Sequence, residues 1–476
     1  MKILLINPPC GPLTIGLRNI ACVEPLGLEL VGAGVSQEHD VRLVDMMVRD
    51  EDLEDTLQQF KPDVAGVTSE IVHVDTAIEA LRTVKQLAPE CLTVVGGHHP
   101  SLAPEDFLDP AVDLVVIGEG VDTFAEICAA RAAGSDQFGH IAGLHIRMGD
   151  RLVATAERPL PTTLDDQPLP DRSLVDHYRS HYYYLFENSV AAIRTSLGCS
   201  FPCVFCSCRV YSQGVFIARS PELVFEEIRN LDEDFVMFCD DHTFHDPQRM
   251  RALGQMLLDA GVKKRYFAYS RTDCIVENRD VFELWAKAGL SLVMTGLEAL
   301  DEKALQKTGK RTDLAQNEAA IRIMEELGIS LSAGFLVDTS FQAEDFDRIE
   351  RFISSHPSIL LAEYTPLTPF PGTPLYRQMK DRLLTSDTQL YDLQHFILPT
   401  DLPPKQLYQL MLKNYLKVVL RVFLKLRLWR PHVLLAAQTR KVLRGLLRNH
   451  LAFRRAHLAI PYQPQAQESS AEKGVA

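Results

Sequence analysis

Three cysteines near the middle of the chain have a spacing that suits a metal cluster. They lie in the segment RTSLGCSFPCVFCSC, where Cys199, Cys203 and Cys206 form a C-x3-C-x2-C array. Thiolates are soft ligands that bind iron–sulfur clusters and zinc. Three of them suit a cubane cluster with one iron left open, whereas a structural zinc site would need four protein ligands at other spacings. Cys208 is a candidate fourth ligand, and the alternative without a metal is a set of cysteines buried in a core.

An alternation of strand-like and helix-like segments must position the array, and Gly198 allows a tight turn after the first strand-like run. The strand candidates are Ala191–Thr195, Phe235–Cys239, Arg265–Tyr269, Ser291–Gly296, Ser330–Val337 and Ile359–Thr365. Helical patterns between them lie at Pro221–Leu231, Pro247–Ala260, Arg279–Ala288, Asp313–Leu327 and Ala343–Ser355. Six βα periods are too few for a closed eight-stranded barrel and predict a six-stranded partial (β/α)6 barrel, with its chemistry at the carboxyl ends of the strands.

Polar side chains follow several of these strands and are therefore expected at the same rim as the cysteines. Asp240 follows the second strand, Arg271 the third and Glu298 the fourth. A structural interpretation, in which Glu298 pairs with Arg271 or Lys310 only to hold the rim, fits the residues equally well.

Residues 1–135 alternate short β-branched runs with helical patterns, which predicts a doubly wound parallel sheet in an α/β fold. Such sheets bind ligands beyond the carboxyl ends of their strands. Those ends carry eight candidate binding residues, Asn7, Pro8, Thr68, Ser69, Gly96, Gly97, His98 and Glu119. The paired glycines would let a large ligand approach the backbone, although ordinary loop glycines fit the pattern too. No G-x-G-x-x-G motif follows the first strand, which disfavours a dinucleotide.

The remaining segments complete the expected domain organisation. Residues 136–188 are predicted to connect the two domains through a β-hairpin and a proline-rich strap, and residues 189–395 to form the barrel. Residues 396–476 are predicted to be a helical basic tail with a disordered end. The aromatic cluster Tyr178–Phe186 either caps one end of the barrel, lines a substrate entrance or packs in the core.

Composition limits the class of protein. The chain has 476 residues, of which 46% are hydrophobic and 24% charged, so it is long enough for two or three globular domains. Ten cysteines without a signal peptide predict a reducing cytoplasm. No apolar run has the length of a transmembrane helix.

Charge is unevenly distributed along the chain. The net charge is −14, yet thirteen Lys and Arg and no acidic residue lie between positions 401 and 468. Four of these basic residues recur at every fourth position and would form one stripe on a helix: Lys413, Lys417, Arg421 and Lys425. The pattern predicts either a helix that lies on an anionic membrane surface or a helix packed on the barrel with solvated lysines. The apolar tail and the acidic body disfavour nucleic acid.

The cysteine array with its phenylalanines resembles the cluster motif of the radical S-adenosylmethionine (SAM) enzymes, and the resemblance extends over most of residues 1–380. It implies that Cys199, Cys203 and Cys206 bind a [4Fe–4S] cluster whose open iron binds SAM. An external electron donor would then drive SAM cleavage to a 5′-deoxyadenosyl radical. By the same resemblance, four residues are expected to contact SAM: Phe205, Asp240, Arg271 and Glu298.

The N-terminal region resembles the cobalamin-binding domain that precedes the barrel in one branch of this family. The resemblance implies that the eight candidates at its strand ends bind cobalamin. Domains that supply a lower axial ligand carry a D-x-H-x-x-G motif after the second strand, and here residues 45–50 read DMMVRD. Cobalamin is therefore expected to bind without a histidine ligand from that loop.

Together the two resemblances imply a radical SAM methyltransferase that uses methylcobalamin to methylate an unactivated carbon, with the protein supplying binding and orientation. The domain order, the NPPCGP opening and the basic, apolar tail are similar to the hopanoid C-3 methylases. That similarity implies a hydrophobic small-molecule substrate, a hopanoid lipid. Two alternatives stay open: an enzyme like the anaerobic magnesium-protoporphyrin ester cyclases, and a cobalamin and iron–sulfur sensor without turnover.

Overall fold

The computed structural model describes residues 1–16, 20–48, 53–428 and 436–460. One of the helical patterns predicted within residues 1–135 is Asp50–Phe60, and its first positions lie outside these residues. The last two positions of the DMMVRD loop and the predicted disordered end of the tail also lie outside them.

The N-terminal half is built on a seven-stranded sheet with the order β3-β1-β4-β5-β6-β7-β8. The strands of this half are β1 (Lys2–Asn7), β2 (Ala21–Cys22), β3 (Asp40–Asp45), β4 (Val64–Thr68), β5 (Leu92–Gly96), β6 (Leu114–Val116), β7 (Leu144–Met148) and β8 (Arg151–Ala154). Strands β3, β1, β4, β5 and β6 are parallel, and the hairpin β7–β8 adds two antiparallel strands at one edge. The predicted parallel sheet is thus confirmed, with an antiparallel extension.

Helices cover both faces of this sheet, as the apolar run of β1 requires. They are α1 (Leu26–Ala33), α2 (Leu53–Phe60), α3 (Val74–Leu87), α4 (His98–Leu102) and α5 (Gly120–Ala132). Ile3 and Leu5 point into one core, formed with α1 and α5, whereas Leu4 and Ile6 point into the other, formed with α2 and α3. A strand that is buried on both faces has a continuous apolar sequence, as β1 does. Helices on both faces of a parallel sheet are the doubly wound arrangement that the sequence predicts.

The second half contains six parallel strands in the order β10-β13-β14-β15-β16-β17, which confirms the predicted partial barrel. The strands of this half are β9 (Tyr183–Tyr184), β10 (Val190–Ile193), β11 (Ser196–Leu197), β12 (Ile217–Ala218), β13 (Phe235–Phe238), β14 (Arg265–Tyr269), β15 (Leu290–Glu298), β16 (Ser330–Val337) and β17 (Ile359–Pro366).

Helices pack around the outside of the barrel. They are α6 (Ser207–Tyr211), α7 (Pro221–Arg229), α8 (Pro247–Asp259), α9 (Thr272–Glu277), α10 (Arg279–Ala288), α11 (Glu302–Lys307), α12 (Leu314–Glu326), α13 (Ala343–Ser355) and α14 (Pro374–Met379). Trp285 of α10 is fully buried, and its ring lies edge-on to Phe238 and Tyr266 of the neighbouring strands. This contact fixes α10 against the outer face of the sheet.

The inside of the barrel is closed at its amino-terminal end by apolar side chains, which we call the floor. Val190, Phe235, Phe267 and Leu292 form the floor, and the ring of Tyr184 stacks beneath it at 5.1 Å from Phe267. Within the predicted aromatic cluster, Tyr184 therefore caps the barrel. Two other members lie fully buried under the N-terminal sheet, Tyr178 and Tyr182.

Two long helices form the described part of the tail, α15 (Pro404–Lys425) and α16 (Ala437–Ala456). Helix α15 packs on β17 and α13. Arg421 pairs with Glu350 of α13 at 3.2 Å, and the Lys425 ammonium donates to a backbone carbonyl after α13. The predicted basic stripe thus lies partly against the barrel, and the fully exposed side of α15 carries leucines. Within the described residue ranges, none of the helices combines the length and hydropathy that a bilayer-spanning segment needs.

Candidate functional site

The loop that carries the three cysteines leaves the carboxyl end of β10 and is held by two aspartates that follow β13. Asp240 accepts hydrogen bonds from the Thr195 backbone at 2.7 Å and the Thr195 hydroxyl at 2.8 Å. Asp241 accepts one from the Gly198 N–H at 2.7 Å. Gly198 has a φ of 86°, and a Cβ there would overlap the Val215 carbonyl oxygen. Gly198 and the two aspartates therefore fix the position of the start of the cysteine loop.

The thiols of Cys199, Cys203 and Cys206 line a cavity of about 410 Å³ at the carboxyl ends of the barrel strands, which we call the barrel cavity. Burial raises the pKa of Cys199, and it raises the pKa of Cys203 to about 11. A hydrogen bond from the Cys208 thiol, helped by backbone N–H groups at the start of α6, lowers the pKa of Cys206 to about 7. Cys206 is thus the thiol that loses its proton most readily, and Cys208 supports it from outside the cavity lining.

Arg271 brings a positive charge beside these thiols and is held rigidly there. Its guanidinium forms a two-pronged pair with Asp273, at 3.0 and 2.6 Å, and donates to the Lys310 carbonyl at 2.6 Å. It also lies 3.6 Å above the Phe201 ring. One nitrogen approaches the Cys203 sulfur at 3.9 Å. The charge of Arg271 therefore opposes the effect of burial on the pKa of Cys203.

Glu298 and Lys310 form a buried ion pair next to Arg271 on the rim, with 2.8 Å between Oε1 and Nζ. Of the two partners that the sequence offers for Glu298, the structure shows Lys310. Glu298 has a φ of 64°, an uncommon backbone conformation for a non-glycine residue that often marks a functional site. A Cβ on Gly296 would overlap the Glu298 carboxylate, so this glycine makes room for the pair.

A second cavity, of about 130 Å³, lies at the carboxyl ends of the N-terminal strands, and we call it the N-terminal cavity. Thr68, Gly96, Gly97 and Glu119 line it, above apolar side chains of the sheet and of α5. Gly97 has a φ of 115°, and a Cβ there would lie 2.9 Å from both the Ser69 carbonyl and the Thr68 hydroxyl. Only glycine fits this position without strain, because the loop packs closely on Thr68 and Ser69 at the edge of the cavity.

Glu119 links the N-terminal cavity to the cysteine loop. Its carboxylate pairs with Arg194 at 2.9 Å and accepts a hydrogen bond from the Tyr211 hydroxyl at 3.0 Å. Tyr211 belongs to α6, which directly follows the cysteines, and its ring stacks on His98 at 5.3 Å. The two domains therefore meet through a charged and aromatic contact between the two cavities.

Glu70 lies beside His98, close to this contact. Its side chain is 60% accessible and lies 3.7 Å from the ring of His98. Burial nevertheless raises the pKa of Glu70 to about 7, because protein surrounds the carboxyl group on many sides.

The structure brings some of the predicted residues to the cavities and leaves others away from them. Phe205, Arg271 and Glu298 line the barrel cavity with the cysteines. Asp240 does not line the cavity, because its carboxylate accepts three hydrogen bonds from Thr195 and Ser196 beneath the cysteine loop. Of the eight candidates in the N-terminal domain, four lie outside the lining of the N-terminal cavity: Asn7, Pro8, Ser69 and His98. The Asn7 amide instead donates to Asp45 at 2.8 Å.

Sequence reasoning did not assign several residues that the structure places at the cavities: Asp241, His242, Lys310, Arg194 and Tyr211. The Asp240-Asp241-His242 run marked the end of a strand, but which of its members reaches the rim depends on how the chain turns there. Burial lowers the pKa of His242 to about 3, so this ring stays neutral at the cavity wall. Arg194 and Tyr211 carry no sequence signal, because their role comes from contact between domains.

The residues that line the two cavities have the chemistry that the cofactors expected from the sequence require. Three thiols around an accessible cavity suit a cluster that leaves one iron open. Gly96, Gly97, Gly118 and Gly120 line the N-terminal cavity, and a lining with few side chains suits a ligand held against the strand ends.

A doubly wound domain placed at the mouth of a partial barrel with three thiols defines the class of radical SAM enzymes with an N-terminal cobalamin domain. Residues 19–128 match the family described as the B12 binding domain, and residues 193–353 match the Radical SAM superfamily. The chain is 32% identical to the hopanoid C-3 methylase of Methylococcus capsulatus, across 87% of this chain and 79% of that protein. The chain belongs to the cobalamin-dependent radical SAM methyltransferase family, whose cofactors are cobalamin, a [4Fe–4S] cluster and SAM.

Two further similarities bear on the alternatives and on the fold. The anaerobic magnesium-protoporphyrin IX monomethyl ester cyclase of Cereibacter sphaeroides is 25% identical, across 86% of this chain and 68% of that protein. The structure of the cobalamin-dependent SAM radical enzyme OxsB with aqua-cobalamin bound has a TM-score of 0.68 at 16% identity, covering 97% of this chain and 82% of the other. The latter supports the fold assignment.

Proposed function

We propose that this enzyme methylates an unactivated carbon of a hopanoid lipid, at C-3. The observation that carries the proposal is the 32% identity to a hopanoid C-3 methylase across 87% of the chain. The barrel cavity supports it, because much of its wall is apolar: Met294, Phe335, Leu336, Pro366, Leu367 and Phe370. A fused hydrocarbon ring system needs such a wall, since polar groups buried against it would be left without hydrogen bonds.

In this proposal the thiolates of Cys199, Cys203 and Cys206 hold the cluster, and Phe205, Arg271 and Glu298 contact SAM. When bound, the cofactors supply the radical chemistry and the methyl group, which side chains cannot provide. The protein fixes the cysteine loop through Asp240 and Asp241 and closes the barrel floor against water with Tyr184.

The function is tested by expressing the gene in a bacterium that makes hopanoids but does not methylate them. We expect C-3 methylated hopanoids in its lipid extract, and none when the variant lacking all three cysteines of the array is expressed. Unmethylated hopanoids in a strain with verified holoenzyme would contradict the proposal. Conversion of a magnesium porphyrin ester to its cyclised product would instead favour the reaction of the second relative.

For cobalamin, we propose binding at the N-terminal cavity by Thr68, Gly96, Gly97 and Glu119. A Gly97→Ala variant should lose most of its bound corrinoid, because the new Cβ meets Ser69 and Thr68 at 2.9 Å. Gly134→Ala is a matched control, since Gly134 also has a positive φ, of 76°, but a Cβ there meets nothing within 4 Å. Equal corrinoid content in the two purified variants, read from absorption spectra, would argue against this site.

We also propose that the tail rests on an anionic membrane surface, from which a lipid substrate could enter. Helix α15 exposes Leu416, Leu420 and Leu424 at four-residue spacing, and α16 exposes Leu447 and Leu451 on one face, with Leu458 exposed just after its end. Exposed arginines without an ion pair among the described residues accompany them on α16, Arg444, Arg448, Arg454 and Arg455. Their charge complements anionic lipid headgroups.

Sedimentation with vesicles of anionic phospholipid tests this surface. A Leu416→Asp, Leu420→Asp variant should bind about a hundredfold more weakly, because each of the two leucines that leaves water contributes about 1.5 kcal/mol. The matched control is Leu87→Asp, Leu108→Asp, which changes two leucines of 43% exposure in the N-terminal domain. Unchanged sedimentation of the tail variant would remove the membrane proposal without affecting the reaction.

A further inference from the structure

The floor of the barrel holds a carboxyl group that the proposed reaction does not use. Glu363 lies on β17, where Leu361, Glu363 and Thr365 share the inward face and alternate with buried outward residues. Thr365 lines the barrel cavity, so Glu363 lies one two-residue step, about 7 Å, deeper on the same face. Gly334, its partner on the adjacent strand, also lines the cavity and has no side chain to cover it.

The surroundings of Glu363 offer little to a charge. Met237, Tyr269, Met294 and Leu361 pack onto the apolar floor at this level. Glu363 accepts one hydrogen bond, from the Ser332 hydroxyl to Oε1 at 2.9 Å, and it makes no ion pair with any described residue. Burial consequently raises the pKa of Glu363.

Phenol groups are the other titratable neighbours of this carboxyl. Burial raises the pKa of Tyr269, to which the charge of Glu363 also contributes. Burial first, and the charge of Glu363 second, raise the pKa of Tyr184 and of Tyr415. Tyr184 comes from beneath the floor, and Tyr415 comes from α15 outside the barrel, where its hydroxyl donates to the Tyr364 carbonyl. None of these phenols supplies a positive charge, so the protein leaves Glu363 with a single neutral partner.

A carboxyl group in apolar surroundings costs stability unless hydrogen bonds satisfy it. Ligand pockets are the usual place for such a group, because they combine apolar walls with a few polar groups that orient the ligand. The rest of the protein gives Glu363 no structural task, since Ser332 lies on the same pair of strands and the ladder already joins β16 to β17.

We propose that Glu363 and Ser332 form a polar seat at the bottom of the barrel cavity that binds the hydroxyl group of an otherwise apolar substrate. This inference rests on the proposed function, because it assumes a hydrocarbon-rich substrate in that cavity. A hydroxyl donates to a carboxylate and accepts from a protonated carboxyl, so the seat serves in either state. Held there, a rigid substrate presents its other end to the cysteines. An ammonium group fits less well, because the environment favours the neutral carboxyl.

The test compares a hopanol with the hopene that lacks its hydroxyl, as ligands of the anaerobic holoenzyme in calorimetric titrations. Glu363→Leu should lower the ratio of hopanol to hopene affinity about tenfold, the effect of one lost hydrogen bond with a buried hydroxyl left unpaired. Ser332→Ala should lower it about threefold. Glu363→Gln should retain most of the ratio, and Leu361→Met, an apolar change on the same face, should leave it unchanged.

The outcomes separate the two proposals. An unchanged ratio in Glu363→Leu, with cluster and corrinoid content equal to the parent, overturns the seat and leaves the proposed function intact. Failure of the parent to bind either compound overturns both. If Glu363→Leu does not fold, Ser332→Ala decides, and an unchanged ratio in that variant overturns the seat.

Discussion

The rim of the barrel cavity pairs its charges within the protein, whereas the floor leaves a carboxyl group with one neutral partner. At the rim, Arg271 is bound to Asp273 and Glu298 to Lys310. At the floor, Glu363 has only the Ser332 hydroxyl among the described residues. Charges that are paired in the folded chain position the cofactor end of the cavity. Glu363 has no charged partner in the described part of the chain, so a ligand can still form a hydrogen bond with it. Substitutions at the rim and at the floor should therefore have different effects on stability and binding.

The largest effect is expected at the rim, where the cluster is held. Replacing Cys199, Cys203 and Cys206 by Ala should abolish the [4Fe–4S] absorption after anaerobic reconstitution and the formation of 5′-deoxyadenosine, because no other thiol lines the cavity. Cys208→Ala is the control and should keep the cluster, since Cys208 lies outside the lining. A cluster that survives in the triple variant would contradict the ligand assignment.

Breaking the ion pair at the rim should give the next largest effect. Glu298→Ala leaves the buried Lys310 ammonium without its carboxylate, which should lower the free energy of unfolding by about 3 kcal/mol or more. Urea unfolding followed by circular dichroism measures it. The double variant Glu298→Ala, Lys310→Met should recover part of the loss, because it removes the stranded charge. If the single variant is as stable as the parent, the pair does not hold the rim.

A substitution at the floor should change the free energy of unfolding in the opposite direction. Glu363→Leu removes a poorly satisfied carboxyl from apolar surroundings, and we expect it to raise the free energy of unfolding by about 1 kcal/mol. The variant Glu363→Leu, Ser332→Ala, measured by the same urea unfolding, removes the effect of a stranded hydroxyl. Loss of stability in both variants would mean that the floor, like the rim, uses its carboxyl to hold the fold.

The sequence predicts the rim better than the floor, and the reason is physical. The cysteine array, Arg271 and Glu298 each follow a strand, and parallel strands bring such positions together whatever their register. Glu363 lies inside a predicted strand, Ile359–Thr365. Whether its side chain reaches the cavity depends on which face of the strand turns inward and on the register that puts Gly334 beside it. Neither is encoded in the local pattern.

The difference between local pattern and three-dimensional arrangement also explains why the roles of Asp240 and Asp241, which follow β13, could not be told apart from the sequence. Local sequence places both at the end of a strand, but the turn sends Asp240 beneath the cysteine loop and Asp241 to the cavity. In the N-terminal domain the strand ends were predictable in the same way, and the glycines at positions 96 and 97 do line the cavity. The contact of Glu119 with Arg194 and Tyr211 could not be predicted from the sequence, because it joins segments from different domains.

The smallest predicted effect concerns pH and the floor alone. The raised pKa of Glu363 means that the folded protein binds a proton that the unfolded chain has already released, once the pH exceeds the ordinary carboxyl pKa of about 4.3. The neutral carboxyl therefore contributes its full stability below that pH, and the contribution falls as the pH rises towards the raised pKa.

Glu363→Gln removes this titration while keeping the size of the side chain and its hydrogen bond. The stability of the parent relative to Glu363→Gln, from urea unfolding at a series of pH values, should decrease as the pH rises over that range. Burial also raises the pKa of Glu70 to about 7 and of Glu29 to about 9, but both residues are present in parent and variant, so their titration cancels in the difference. A difference that stays constant with pH would show that Glu363 is solvated well enough to ionise normally, and the contrast between rim and floor would then be one of hydrogen bonding alone.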